Sequence, residues 1–109
     1  MQSVTNPTIA AYVEASNARD IDTIMSMFTP DAVVSDEREV HRGLDEIRAW
    51  RLRTMAEYNF TTELLGVEEV GKETVATCRI SGTFDGSPIV LRSFFTLVDG
   101  KIAAMSIRD

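Results

Sequence analysis

The hydrophobic pattern of this chain changes period at Phe60, and that change limits the possible folds more than any other feature. Before it, apolar side chains recur at i, i+3, i+4 and i+7, the spacing of helices that lay one face on a core. After it they alternate. Gly71-Lys72, Asp85-Gly86 and Asp99-Gly100 cut the alternation into four runs, Phe60 to Val70, Thr74 to Phe84, Ile89 to Val98 and Lys101 to Arg108. Short alternating runs joined at glycine-bearing turns predict an antiparallel meander. Pro88 falls at a strand start, where a missing donor does little harm. Helices at the front and a meander at the back make the chain α+β.

The front half predicts three helices and one strand. Asn6-Pro7 supplies a cap and a first-turn proline for a helix whose face is Ile9, Tyr12, Val13 and Ser16. Asn17 to Arg19 is the break. Asp20 then caps a second helix with the face Ile21, Ile24, Met25 and Phe28, and Asp22 adds negative charge near its positive end. Thr29-Pro30-Asp31 stops that helix, and Ala32 to Asp36 follows as a strand that ends on a carboxylate. Glu37 to His41 is polar and suits a hairpin end or a loop over a pocket mouth. Gly43 to Glu57 is the third helix, with Leu44, Ile47, Trp50, Thr54, Met55 and Tyr58 near one side. Arg48, Arg51 and Arg53 fall elsewhere and are expected on a solvated face.

At 109 residues and 44% hydrophobic content, the chain suits one domain with one sizeable core. Its net charge of −6, with no basic cluster, argues against a nucleic-acid or anionic-membrane partner. No apolar run is long enough for a membrane span and no leader pattern is present, so a cytoplasmic location is expected. Cys78, the single cysteine, can form no internal disulfide and sits mid-strand as a small buried hydrophobe. His41, the single histidine, is expected at the surface. One histidine, one cysteine and no glycine-rich phosphate loop imply neither a metal site nor a cofactor. In the third run Ile89, Leu91, Ser93, Phe95 and Leu97 face one way and Val90, Arg92, Phe94, Thr96 and Val98 the other. Both faces are apolar enough to be covered, one by the helices and one by a second copy of the chain, which predicts a homodimer.

Tyr12-Val13, then Asn17-Ala18-Arg19-Asp20, then Met27-Phe28-Thr29-Pro30-Asp31-Ala32-Val33-Val34 and Asp36 resemble the ketosteroid isomerase and SnoaL-like branch of the nuclear transport factor 2-like superfamily. Arg42-Gly43-Leu44-Asp45-Glu46-Ile47 looks like that family's third-helix start, so the resemblance covers nearly the whole chain, residues 1–109, as one domain. It implies a curved antiparallel sheet wrapped as a cone around three N-terminal helices, the cystatin-like roll, with a pocket inside. The fold hosts isomerases, cyclases, hydrolases, dehydratases and non-catalytic binders, so it does not fix an activity.

The resemblance also implies a site. Asp36 matches the carboxylate that serves as general base, taking a proton from carbon next to a carbonyl and returning it nearby. The local alternative is a strand-end acid that caps a turn. Tyr12 matches the tyrosine that hydrogen-bonds the developing enolate oxygen, although a tyrosine there is also an ordinary core residue. Aligning Asp99-Gly100-Lys101 with the family's last hairpin puts Arg92 where ketosteroid isomerases carry a second, protonated acid. A guanidinium there would hold a substrate carboxylate or phosphate, polarise a carbonyl, or neutralise Asp36; an edge or dimer-interface arginine is the other possibility. Arg51 stands where some members have a second tyrosine. Trp50, Phe28, Phe94 and Met105 are the expected substrate-binding wall, with plain core packing as the alternative. Two functions are compatible with this set: proton transfer on a small apolar carbonyl compound, and a non-catalytic binding or dimerisation module in which Asp36 and Arg92 form a structural ion pair.

Overall fold

A computed structural model describes residues 6–36 and 38–108. Helix α1 spans Pro7–Asn17 and begins where the Asn6 side chain accepts the amides of Thr8 and Ile9. Helix α2, Ile21–Ser26, begins where the Asp20 side chain accepts the Thr23 amide. Both caps are those the sequence predicts. Strands β1 (Phe28–Ser35) and β2 (Val40–Arg42) precede helix α3, Gly43–Tyr58. The meander is β3 (Thr61–Val70), β4 (Glu73–Ser81), β5 (Ile89–Val98) and β6 (Lys101–Arg108). No helix among the described residues is long and apolar enough to cross a membrane.

The six strands form one curved sheet in the order β2-β1-β6-β5-β4-β3. All neighbours are antiparallel except β1 and β6, which run parallel. The core lies between the helices and one face of this sheet. Ile9 and Tyr12 from α1, Ile24 from α2 and Ile47 and Trp50 from α3 cluster there with Val34, Ala76, Phe95, Ile102 and Met105 from the strands. Ile24 is the buried anchor of the six-residue α2, a helix too short to hold without tertiary packing.

Phe28 departs from expectation: α2 stops at Ser26, so Phe28 opens β1 instead of closing a helix face. The Met27 carbonyl accepts the Ile102 amide, 2.7 Å, which draws the chain into the sheet one residue earlier than the Thr-Pro-Asp stop suggests. Pro30 then lies where the β1–β6 register shifts between Phe28 and Val33, so its missing donor interrupts no ladder bond. The polar segment before α3 also differs. Val40–Arg42 pairs with β1 as a short strand, while Glu37 lies outside the described residues.

Helix α3 ends at Asn59, whose left-handed backbone lets its N–H reach the Met55 carbonyl. The turn after β4 docks on that end. Thr83 donates its amide and its hydroxyl to the Tyr58 carbonyl, at 2.8 and 3.0 Å. Gly82 makes this possible, because a Cβ there would lie 2.5 Å from the Tyr58 oxygen. Tyr58 and Phe60 are thereby held at the rim of a cavity.

Candidate functional site

The cavity sits between α1, α3 and the inner sheet face, with a volume of about 210 Å³ and mostly apolar walls. Its floor follows from strand register. Phe95 on β5 pairs with Met105 on β6, and both point inward and are buried. Tyr12 descends from α1 and packs edge-on against Phe95, ring centroids 5.8 Å apart, with Phe28 against its other side at 5.9 Å. The Tyr12 hydroxyl donates to Met105 Sδ at 3.7 Å. A thioether is a weak acceptor, so a ligand oxygen would compete for that proton easily.

Asp36 reaches the same cavity by alternation. Ala32 and Val34 are fully buried inward residues of β1, and Asp36 is the next inward position. Its Oδ1 accepts the amides of Arg38 and Glu39 at 3.1 and 2.9 Å, so the carboxylate caps the turn and also faces the cavity. Oδ2 lies 3.9 Å from His41 Nε2. Partial burial pushes the Asp36 pKa up, but the two turn amides, His41 and the Trp50 indole together hold it below the usual 3.8. Asp36 is therefore an ionised, oriented and weak base.

His41 is not at the surface. Its register opposite Val34 turns it inward, where it is 7% exposed and stacks on Trp50, centroids 5.4 Å apart and rings 26° from parallel. Nε2 is enclosed and has no hydrogen-bond partner among the described residues.

Arg51 is the least expected wall residue. Expected on a solvated face, it is 5% exposed, and its guanidinium lies 4.4 Å from the Trp50 centroid, 5.4 Å from Tyr12 and 5.7 Å from Phe60. Burial lowers its pKa to about 10, so it stays charged at neutral pH. The helix itself explains the position. Leu44, Ile47, Arg51, Thr54 and Tyr58 recur at steps of three and four, which is the core-facing stripe of α3.

Asp36, Glu39 and His41 each bring one potential metal-ligand atom within 4.8 Å of the others. Two of the three are partly engaged: Asp36 Oδ1 accepts the turn amides, and Glu39 pairs with Arg53 at 3.0 Å.

The profile of the SnoaL-like domain family matches residues 9–105, nearly the full cone. The chain belongs to the SnoaL-like domain family. A Sinorhizobium meliloti structure, described as that of a candidate polyketide cyclase, is 33% identical to this SnoaL-like domain, with a TM-score of 0.92 over 99% of this chain and 100% of that one. A Catenulispora acidiphila protein of ketosteroid isomerase-like fold, solved in complex with trimethylamine, is 16% identical, with a TM-score of 0.82 over 97% and 87%. An epoxide hydrolase from M. tuberculosis is 16% identical, with a TM-score of 0.76 over 92% and 77%. The last two show the fold alone. No curated protein matches the sequence.

Of the residues anticipated for this SnoaL-like domain, Asp36, Tyr12, Trp50 and Met105 meet at the cavity. Arg92, Phe94 and Phe28 do not line it. Leu91, Ser93 and Phe95 hold the inward positions of β5, which turns Arg92 and Phe94 to the outer face. There the guanidinium of Arg92 lies 5.5 Å from the Phe94 ring and that of Arg108, its register partner, 4.0 Å from it. Asp36 accordingly has His41 and not Arg92 beside its carboxylate. Cys78 lines the wall with its thiol pKa pushed up to about 11 by burial, a packing residue without nucleophilic character.

Proposed function

We propose that this SnoaL-like domain is an enzyme that moves a proton on a small, largely apolar carbonyl compound. The observation that carries the proposal is one apolar cavity faced by an ionised carboxylate, Asp36, and by a phenol, Tyr12, whose proton is spent on a poor acceptor. With Oδ1 fixed by two amides, Oδ2 takes the proton from the carbon next to the carbonyl. The electron pair moves onto the carbonyl oxygen, and the Tyr12 hydroxyl turns from Met105 to stabilise the enolate. Return of the proton to another carbon gives isomerisation. Attack of the enolate on a second carbonyl gives cyclisation, and loss of a neighbouring hydroxyl gives dehydration. The likeness to a candidate polyketide cyclase supports a pocket that takes small organic molecules. The volume of about 210 Å³ lies below the ~300–1,000 Å³ of drug-sized sites, which favours one ring or a short chain over a steroid.

Incubation with a panel of small cyclic ketones and β-dicarbonyl compounds in D₂O, followed by NMR, tests the proposal. Deuterium should enter the α-carbon faster than in buffer. Because the Asp36 pKa is lowered, the base is ionised throughout the neutral range, so the rate should be level from about pH 5 to 8 and fall only below about pH 4. Binding without any exchange would leave a ligand-binding module. A fall centred between pH 5 and 8 would move the base to an imidazole.

We further propose that the outer face of β5 and its neighbours meets a second copy of the chain. Val90 and Val98 are half-exposed there, beside Phe94. Light scattering should give twice the 12.1 kDa chain mass; a monomer at micromolar concentration would remove the proposal.

A further inference from the structure

Three arginines of this domain pair with carboxylates, and all three lie near the surface, where such a pair gains little. Arg48 pairs with Asp22 at 3.3 Å, Arg53 with Glu39 at 3.0 Å and Arg79 with Glu63 at 2.7 Å. Arg51, buried at the cavity wall, has no carboxylate within ion-pair distance and no hydrogen-bond acceptor among the described residues. This arrangement is the reverse of what stability alone would select, since a cation is costly in an apolar interior unless it is paired and hydrogen-bonded. The rings of Trp50, Tyr12 and Phe60 offset part of that cost through their faces. They offer no acceptor to the five N–H donors at the edge of the guanidinium. Nε is fully enclosed and unpartnered.

We propose that Arg51 is the receptor for an anionic head, and that the ligand of this cavity is a carboxylate on a small apolar body. The proposal rests on the pocket described above and not on turnover. A planar guanidinium fork matches a carboxylate with two parallel hydrogen bonds, and the aromatic rings around it hold that plane in place. Arg51 is the single cation among the residues lining the cavity, so the complementary charge is one, which favours a carboxylate over a phosphate dianion. Asp36, the one acid lining the same cavity, would repel that head and so directs it to Arg51 and leaves the rest of the ligand at Asp36. A keto acid of one ring or a short chain satisfies both ends.

The test is a set of calorimetric titrations of the intact protein with benzoate, its neutral isostere benzamide, and inorganic phosphate, alongside the ¹H–¹⁵N signal of Arg51 Nε. Benzoate should bind at least tenfold tighter than benzamide and shift the Nε–H signal. Arg51→Met should remove the tenfold preference and leave benzamide binding, and Arg51→Lys should keep only part of it. The wild-type comparison stands even if Arg51→Met fails to fold. Equal binding of benzoate and benzamide overturns the anion receptor and leaves the pocket. Phosphate binding as tight as benzoate overturns the carboxylate class, and no binding by any probe overturns receptor and pocket together.

Discussion

Asp36→Asn is expected to lower the rate of proton exchange by about 10²–10⁴-fold, the usual contribution of a positioned general base. The amide has the shape of the carboxylate, and its oxygen can still accept the Arg38 and Glu39 amides that close the turn. What is lost is the lone pair on Oδ2 that takes the proton. Ligand affinity, read by calorimetry, should therefore change little while turnover collapses. Stability follows a separate course. The folded-state pKa of Asp36 is lowered, so its ionised form stabilises the fold above the unfolded value, and that contribution disappears as pH falls through the folded value. Melting of the Asn variant should accordingly depend less on pH below about pH 4 than melting of the wild type. Retention of wild-type exchange by the folded variant would remove Asp36 from the chemistry.

Phe95→Ala is expected to cost about 3–5 kcal/mol, a large share of the roughly 5–15 kcal/mol that holds a typical domain together. Phe95 is 2% exposed, sits opposite Thr74 on one side and Met105 on the other, and meets the Tyr12 ring at 5.8 Å. Its removal takes the floor from the cavity and the support from beneath Tyr12. The void adjoins a space that already exists, so the surrounding side chains have little from which to refill it. At about 4–8 °C per kcal/mol for a small domain, calorimetry should show a fall of at least about 12 °C. A loss under about 1 kcal/mol would mean that the helices close down over the gap and that the cavity is softer than its geometry suggests.

The features legible in the sequence were those governed by near neighbours. Asn6 and Asp20 announce their helices because a cap is a local hydrogen bond, and the glycine turns announce the meander for the same reason. Asp36 was legible as the acid that ends the first strand and through the family resemblance, and alternation from Ala32 and Val34 is what turns it inward in the fold. His41 was not, since a strand of three residues carries too little pattern, and only its pairing with Val34, set by the sheet, decides its direction. Arg51 was grouped with Arg48 and Arg53 on a solvated face, but its steps of four from Ile47 and three to Thr54 put it on the buried stripe of α3. Arg92 and Phe94 were missed together. Alternation within β5 put them on one face without saying which face met the helices, and alignment of the last hairpin chose the pocket; the pleat turned both outward, because a strand cannot turn one residue without turning them all.

The parallel seat of β1 against β6 has a bearing on how the protein comes to life on the ribosome. The strand that leads to Asp36 at the cavity precedes α3 and the meander, while one of its two neighbours, β6, is the last of the six described strands in chain order. Such distant pairing is slow to form, because a long loop must close before any contact rewards it. Helices and hairpins can assemble as they emerge, but the carboxylate waits for β6. The cavity wall at Asp36 is thus unfinished until β6 has emerged, and any agent that captures β6 early would leave β1 without the strand that seats it.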